Sequence, residues 1–253
     1  MPEPHPGQEK ESFPHMMREV LSNRSYMKLI ALITIWIFAV NISTPFYNVQ
    51  MLGPMAMSYT EINFLATIVS NVATLLLASV WGGVMDRYGN KAFTRVFALL
   101  AGLIPLLWLF TGYRVIWMVP VVQFLSGMIL PAIDLSVQNM YLYQAPERNR
   151  SMYFAIYFCV TQIVGVALSF AAGGWLVDNV FLPLSQNLNL MFCGFKLNQY
   201  HLVFLLSAAL RFTVSLGLLG LLPETEGDCR PAEMLRGIRG DVSRRIQLTV
   251  NRK

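Results

Sequence analysis

The chain has 253 residues, 55% of them hydrophobic and 13% charged, with a formal net charge of +5 and a mean hydropathy of +0.49. Soluble domains carry roughly 25% charged residues, and the deficit here excludes an ordinary soluble fold. The positive balance requires no nucleic-acid partner, because basic segments beside an anionic inner leaflet account for it.

Residues 1–26 form a polar leader containing four prolines. They lack the apolar core and small-residue cleavage site of a signal peptide, so the first span itself directs insertion. Within the leader, Phe13, Met16, Met17, Val20 and Leu21 recur at helical spacing, with Arg18 and Glu19 on another face. That pattern predicts a short helix lying on the inner membrane surface. A spanning helix needs about 20 mainly apolar residues. Six such runs follow, at 27–52, 62–82, 93–112, 115–141, 152–176 and 201–222. The predicted fold class is all-α, an integral membrane bundle of six helices. Pro45 in the first run, Pro105 in the third, and Pro120 and Pro131 in the fourth each remove a backbone donor and predict kinks. Residues 178–200 make a long, partly apolar outer segment. The sequence leaves open whether it rests on the outer leaflet or caps a cavity. Residues 223–253 form a basic cytoplasmic tail.

Sixteen of the nineteen Lys and Arg residues fall on one side of this six-span arrangement. Arg114 and Lys196 fall on the other, and Arg211 lies inside the last span. By the positive-inside rule both termini are cytoplasmic. Trp81, Tyr113, Trp117, Trp175 and Tyr200 stand at predicted span ends, where amphipathic rings favour the headgroup region. Cys159, Cys193 and Cys229 fall in three different compartments, so no disulfide framework is implied. The sequons at Asn23, Asn41 and Asn149 lie in cytoplasmic or membrane segments and read as chance matches.

Between the second and third runs stands a charged turn, Trp81 to Lys91, with two adjacent glycines, an acid and two bases. Its pattern is Gly-x-x-x-Asp-Arg-x-Gly-x-Lys, formed by Gly82, Asp86, Arg87, Gly89 and Lys91. This resembles the loop motif of the major facilitator superfamily of transporters, which follows the second helix of a six-helix half. Pro146 to Arg150, followed by a span with Gly165, Ser169, Gly173 and Gly174, resembles the basic loop and glycine-rich fifth helix of such a half. Pro223 to Gly227 is similar to the ending of the last helix in the sugar-porter branch. The chain departs from the motif at Asn90, where Arg is usual. The fifth span also lacks the Gly-Pro pair of the antiporter signature, so the resemblance does not extend to proton-drug exchange. The resemblance implies one six-helix half, and the polar leader and Pro223–Gly227 ending favour the C-terminal one. Such a half lines a midplane cavity with its first, second, fourth and fifth helices.

Two sets of residues carry candidate function. The first is a gate. Asp86 lies on the same side as the start of the fifth span, whose free amides form a positive dipole end. Arg148 and Arg150 add charge there, and Gly82 and Gly89 allow close approach and a sharp turn. A solvated, topology-setting turn is the plainer alternative. The second set is the polar layer. By helix rise, Asn41, Asn71, Gln123 and Gln162 fall about 15–20 Å above the inner face, in spans one, two, four and five. Each either lines a cavity or serves as interhelical hydrogen-bond glue. Arg211 stands near the midplane, with Asp134 as a candidate charge partner or, alternatively, with backbone carbonyls and water as its partners. On this reading no acid stands at the midplane of the four cavity spans, and nothing points to proton coupling.

No metal-ligand spacing, nucleophile–base set or phosphate-binding loop is present, so neither a cofactor nor an enzyme is expected. The sequence predicts a secondary transporter of a small solute in the cell membrane, working by alternating access with a second six-helix half or a homodimeric partner. A non-transporting membrane scaffold or interaction protein, or an inactive truncated half, is the alternative.

Overall fold

The computed structural model describes residues 13–111, 115–147, 149–188, 191–192, 195–222, 229 and 231–237. Among them, α1 (Phe13–Ser22) is the short leader helix. Its Val20 is fully buried in the bundle, while Phe13, Met17 and Leu21 remain exposed in a row one turn apart. Six helices long and apolar enough to cross a membrane follow, Arg24–Leu52, Tyr59–Tyr88, Asn90–Trp108, Met118–Gln144, Arg150–Asn187 and Gln199–Leu221.

The first span is α2 (Arg24–Asn41) and α3 (Thr44–Leu52), broken at Ile42–Ser43 ahead of Pro45. Asn23 caps α2 by accepting the Tyr26 amide. The second is α4 (Tyr59–Asn63), a π-helical turn at Phe64–Val69, and α5 (Ser70–Tyr88). Ser58 and Glu61 close a reciprocal capping box at its start. The third span is α6 (Asn90–Trp108) and the fourth α7 (Met118–Gln144). The fifth is α8 (Arg150–Val160), π turns at Thr161–Ala167 and Val177–Phe181 around α9 (Leu168–Leu176), and α10 (Leu182–Leu188). A two-residue antiparallel ribbon, β1 (Met191–Phe192) with β2 (Phe195–Lys196), leads to the sixth span. That span is α11 (Gln199–Leu216) and a 3₁₀ turn at Leu218–Leu221.

The helix of the fifth span outlasts its apolar run and takes up much of the long outer segment. Its 38 residues extend about 57 Å at helical rise, nearly twice a hydrocarbon core of ~30 Å. Pro183 does not end it, because a π turn immediately before has already interrupted the i→i−4 ladder. Laterally, α6 packs between α7 and α11, α5 packs on α7, and the fifth span packs on α2.

The prolines explain how these helices are tied. Pro105 has no amide to give the carbonyl four residues earlier, Ala101. The Arg211 guanidinium from α11 donates to that carbonyl at 2.8 Å. The break before Pro45 likewise frees Val40, whose carbonyl accepts Arg211 at 3.1 Å and the Thr44 hydroxyl at 3.1 Å. Ser43 Oγ and Tyr47 OH also accept, each 3.4 Å from Nη2, while Nε is buried without a partner among the described residues. Arg211 is thus 1% exposed and joins the first, third and sixth spans. Pro131 repeats the device in α7. It strands the Gly127 carbonyl, which accepts the Thr74 hydroxyl of α5 at 2.8 Å. In the membrane interior an unmet carbonyl has no water to turn to, so Pro105 and Pro131 each draw a donor from a neighbouring span.

This arrangement predicts a coupling. Arg211→Met orphans the Ala101 carbonyl, leaves Val40 with only hydroxyl donors from its own span, and should destabilise the detergent-solubilised protein by about 2–4 kcal/mol. Pro105→Ala restores a backbone donor for Ala101, so in the double variant the loss should shrink by about 1 kcal/mol. Thermal unfolding of the four proteins measures the cycle, and strictly additive effects would refute the proposed link.

Candidate functional site

Between the first, fourth and fifth spans lies a cavity of about 240 Å³. Three helix faces build it. From α7 come Asp134, Val137, Gln138 and Tyr141, spaced i, i+3, i+4 and i+7, so all four stand on one stripe. From α2 come Ile33, Trp36 and Ile37. From the fifth span come Tyr157, Phe158, Thr161 and Gln162, at the junction of α8 with its π turn. Thr161 Oγ1 donates back to the Tyr157 carbonyl at 2.8 Å and to Phe158 at 3.3 Å, alongside the Thr161 amide at the entry to the π turn. Gly165, one turn further on, lets the fifth span press against α2. A side chain there would meet Ile37 Cγ2 at 2.8 Å.

The walls are largely aromatic. The Tyr141 ring lies 4.5 Å from Tyr157 and 6.2 Å from Phe158. Toward the end that carries α1, Tyr26 donates its hydroxyl to the Tyr153 carbonyl at 2.9 Å, and their rings meet edge to face at 4.7 Å. The polar surface comes from Asp134, Gln138 and Gln162, all three accessible. By helix rise Asp134 stands about 15 Å, and Gln162 about 18 Å, from that end of their helices, close to mid-depth in a ~30 Å core.

The family profile of the Major Facilitator Superfamily matches residues 12–246. The chain belongs to the major facilitator superfamily. It is therefore a transporter of the major facilitator kind, built into a membrane through its six apolar helices. No curated protein and no solved structure matches the chain.

Of the four amides picked out by depth, the structure places Gln162 in the cavity. Asn41 donates to the Ile37 carbonyl of its own helix at 2.9 Å, one turn beyond the cavity on the same face. Asn71 lies exposed on the surface of α5, beside Val72 and Leu75. Gln123 is half-buried away from the cavity, and its backbone carbonyl accepts the Ser70 hydroxyl at 3.1 Å. The pairing of Asp134 with Arg211 is not formed. Arg211 points to the carbonyls of α2 and α6, whereas Asp134 faces the cavity from α7. The alternative in which Arg211 reaches carbonyls is the one observed. The expectation that no acid reaches mid-depth among the cavity spans is corrected by the same residue. Sequence reasoning also passed over Trp36, Gln138, Tyr141 and Tyr157. The i, i+4, i+7 spacing of Asp134, Gln138 and Tyr141 was the available signal.

The charged turn is shorter than its sequence suggests. α5 continues through Asp86, Arg87 and Tyr88, and α6 begins at Asn90, leaving Gly89 alone between them. The helix persists because Trp81 and Met85 are buried beneath it with Phe93 and Met234. Gly89 adopts φ 82°, ψ 158°, a conformation essentially confined to glycine. Gly82 makes no close approach, since a side chain there would meet nothing within 4 Å. Asn90, the departure from the family pattern, docks the turn on α7. Its backbone carbonyl accepts Ser136 Oγ at 2.9 Å and its side-chain oxygen accepts Asn139 at 3.3 Å. Arg87 lies over the Tyr88 ring at 5.3 Å, and Lys91 is half-buried at the start of α6.

Asp86 is exposed and forms no hydrogen bond or ion pair among the described residues. The start of α8 lacks a side-chain cap, because Asn149 turns to Glu19 instead, at 2.6 Å. Arg150 is half-buried there with its Nε unpartnered among the described residues. Arg148 lies outside the described residues.

The two glycines should therefore respond oppositely. Gly89→Ala is expected to lower stability by about 1–3 kcal/mol. Gly82→Ala, on an open helical position, should be neutral or stabilise by up to about 1 kcal/mol. Melting curves of the two variants in one detergent provide the comparison.

Proposed function

We propose that this bundle forms one half of a secondary transporter that moves a small solute by alternating access. The cavity between the first, fourth and fifth spans would be this half's share of the solute path. The observation that carries the reading is the mid-depth cavity, whose accessible Asp134, Gln138 and Gln162 line it without structural partners among the described residues. Interhelical glue would have its polar atoms paired across helices, as Arg211 and Thr74 do.

A second six-helix half, or a second copy of the chain, would complete the path. The second and fifth spans offer surface for it, with Leu75 78%, Ile163 66% and Trp175 62% exposed. We place the bundle in the cell membrane with both ends on the cytoplasmic side, as its Lys and Arg distribution favours. The similarity of Pro223–Gly227 to a final-helix ending favours the C-terminal half. The bare N-terminus of α8 would receive Asp86 in the alternate conformation, with Arg150 adding attraction, as a latch worth about 1–2 kcal/mol.

Proteoliposomes test the proposal. In an uptake screen, vesicles holding a second six-helix half together with this chain, or two copies of the chain, should accumulate solute. Vesicles with a single copy should not, and robust uptake by single copies would overturn the half-transporter reading. In the active assembly, Asp86→Asn should shift the conformational balance and change the transport rate by roughly tenfold. A plain solvated turn would leave the rate unchanged.

A further inference from the structure

We infer that the cavity is a binding site for a small organic cation, with Asp134 as its counter-charge and Trp36, Tyr141 and Tyr157 as its walls. This deepens the transporter reading and rests on it for the cavity's place on the solute path. Four observations lead to it.

First, Asp134 presents accessible carboxylate surface to the cavity and forms no hydrogen bond or ion pair among the described residues. A carboxylate near mid-depth without a partner is costly, so an occupant carrying positive charge is favoured there. Second, the protein's own cation in this layer is committed elsewhere. Arg211 is 1% exposed and spends its Nη donors on Ala101, Val40, Ser43 and Tyr47. No Lys, Arg or His lines the cavity among the described residues, so an anionic solute would find repulsion from Asp134 and no compensating charge. Third, the walls suit a cation. Indole and phenol faces attract ammonium groups, most strongly where water is excluded, and Tyr141 and Tyr157 lie 4.5 Å apart beside Trp36. Fourth, about 240 Å³ is below the ~300–1,000 Å³ of drug-sized pockets, which restricts the occupant to a compact molecule. The Gln138 and Gln162 amides, both accessible, can donate to or accept from a hydroxyl or ester carried by it. A proton alone would neutralise Asp134, but would have no use for an aromatic wall.

The experiment uses the full chain in lipid nanodiscs, with Cys159, Cys193 and Cys229 replaced by serine and Gln138→Cys as a reporter. Alkylation of that cysteine by N-ethylmaleimide is timed with and without choline, and with its uncharged isostere 3,3-dimethylbutan-1-ol. Choline should slow alkylation in a saturable manner and the isostere should not. Asp134→Asn should weaken choline protection by about tenfold or more, read as the choline concentration that halves the alkylation rate relative to the same variant without choline. Tyr157→Leu should weaken it by about fivefold, and Tyr157→Phe should preserve it. Because the isostere comparison needs no change at Asp134, misfolding of that variant would not spoil the test. A reporter that never reacts would show the cavity closed to water and would sink the transporter reading of this site together with the inference. A reactive reporter that choline fails to protect would overturn the cation inference alone. So would equal protection by the isostere, or protection unaltered in Asp134→Asn.

Discussion

Everything in this bundle answers to one constraint: a carbonyl released inside a membrane must find a donor from another helix. Pro105 and the break ahead of Pro45 release Ala101 and Val40, and one guanidinium reaches both. Arg211 is therefore a strut between the first, third and sixth spans rather than a charge waiting for a counter-ion. Its burial would be prohibitive as a bare cation. It is tolerable because four oxygen acceptors converge on its Nη atoms at 2.8–3.4 Å. Pro131, Gly127 and Thr74 show the same logic with a neutral donor.

Once that strut is in place, the bundle has two sides with different chemistry. The side of the first span facing α11 is closed, with Tyr47 of α3 stacked between Trp108 and Phe204 beside the buried arginine. The side facing α7 and the fifth span is opened by a cavity that holds the carboxylate. Separating the two opposite charges on either side of α2 keeps each from quenching the other. That separation leaves Asp134 able to engage something that arrives from outside.

Much of the scaffold was legible in the sequence, and much of the site was not. Hydropathy located six helices because each run is long and nearly free of charge. It misplaced the end of the second, since Trp81 and Met85 hold α5 helical as far as Tyr88 through contacts with Phe93 and Met234 that no local pattern records. Helix rise misplaces Gln123, which stands about 31 Å from the Gln144 end of α7 because that helix begins at Met118, and height does not say which way a side chain points. That direction is set by packing and, in the fifth span, by a π turn that shifts the register at Thr161–Ala167. Gln162 reached the cavity and Asn71 the outer surface for this reason. Asp134 was misassigned because attraction between opposite charges is visible in a sequence, whereas a carbonyl unmasked by Pro105 on another helix is not.

The one-residue turn at Gly89 has a mechanical consequence. With no slack between them, α5 and α6 form a stiff hairpin, further pinned to α7 by Asn90 through Ser136 and Asn139. A tilt of the second span cannot be absorbed at its end and must drag the third. Through Arg211 the third is fastened to the sixth and the first. Bending is thereby expelled from the joints and concentrated within the spans themselves, where the π turns at Phe64–Val69 and Thr161–Ala167 supply the weakest backbone. The second and fifth helices thus carry the bends that the one-residue turn at Gly89 does not allow at the joint.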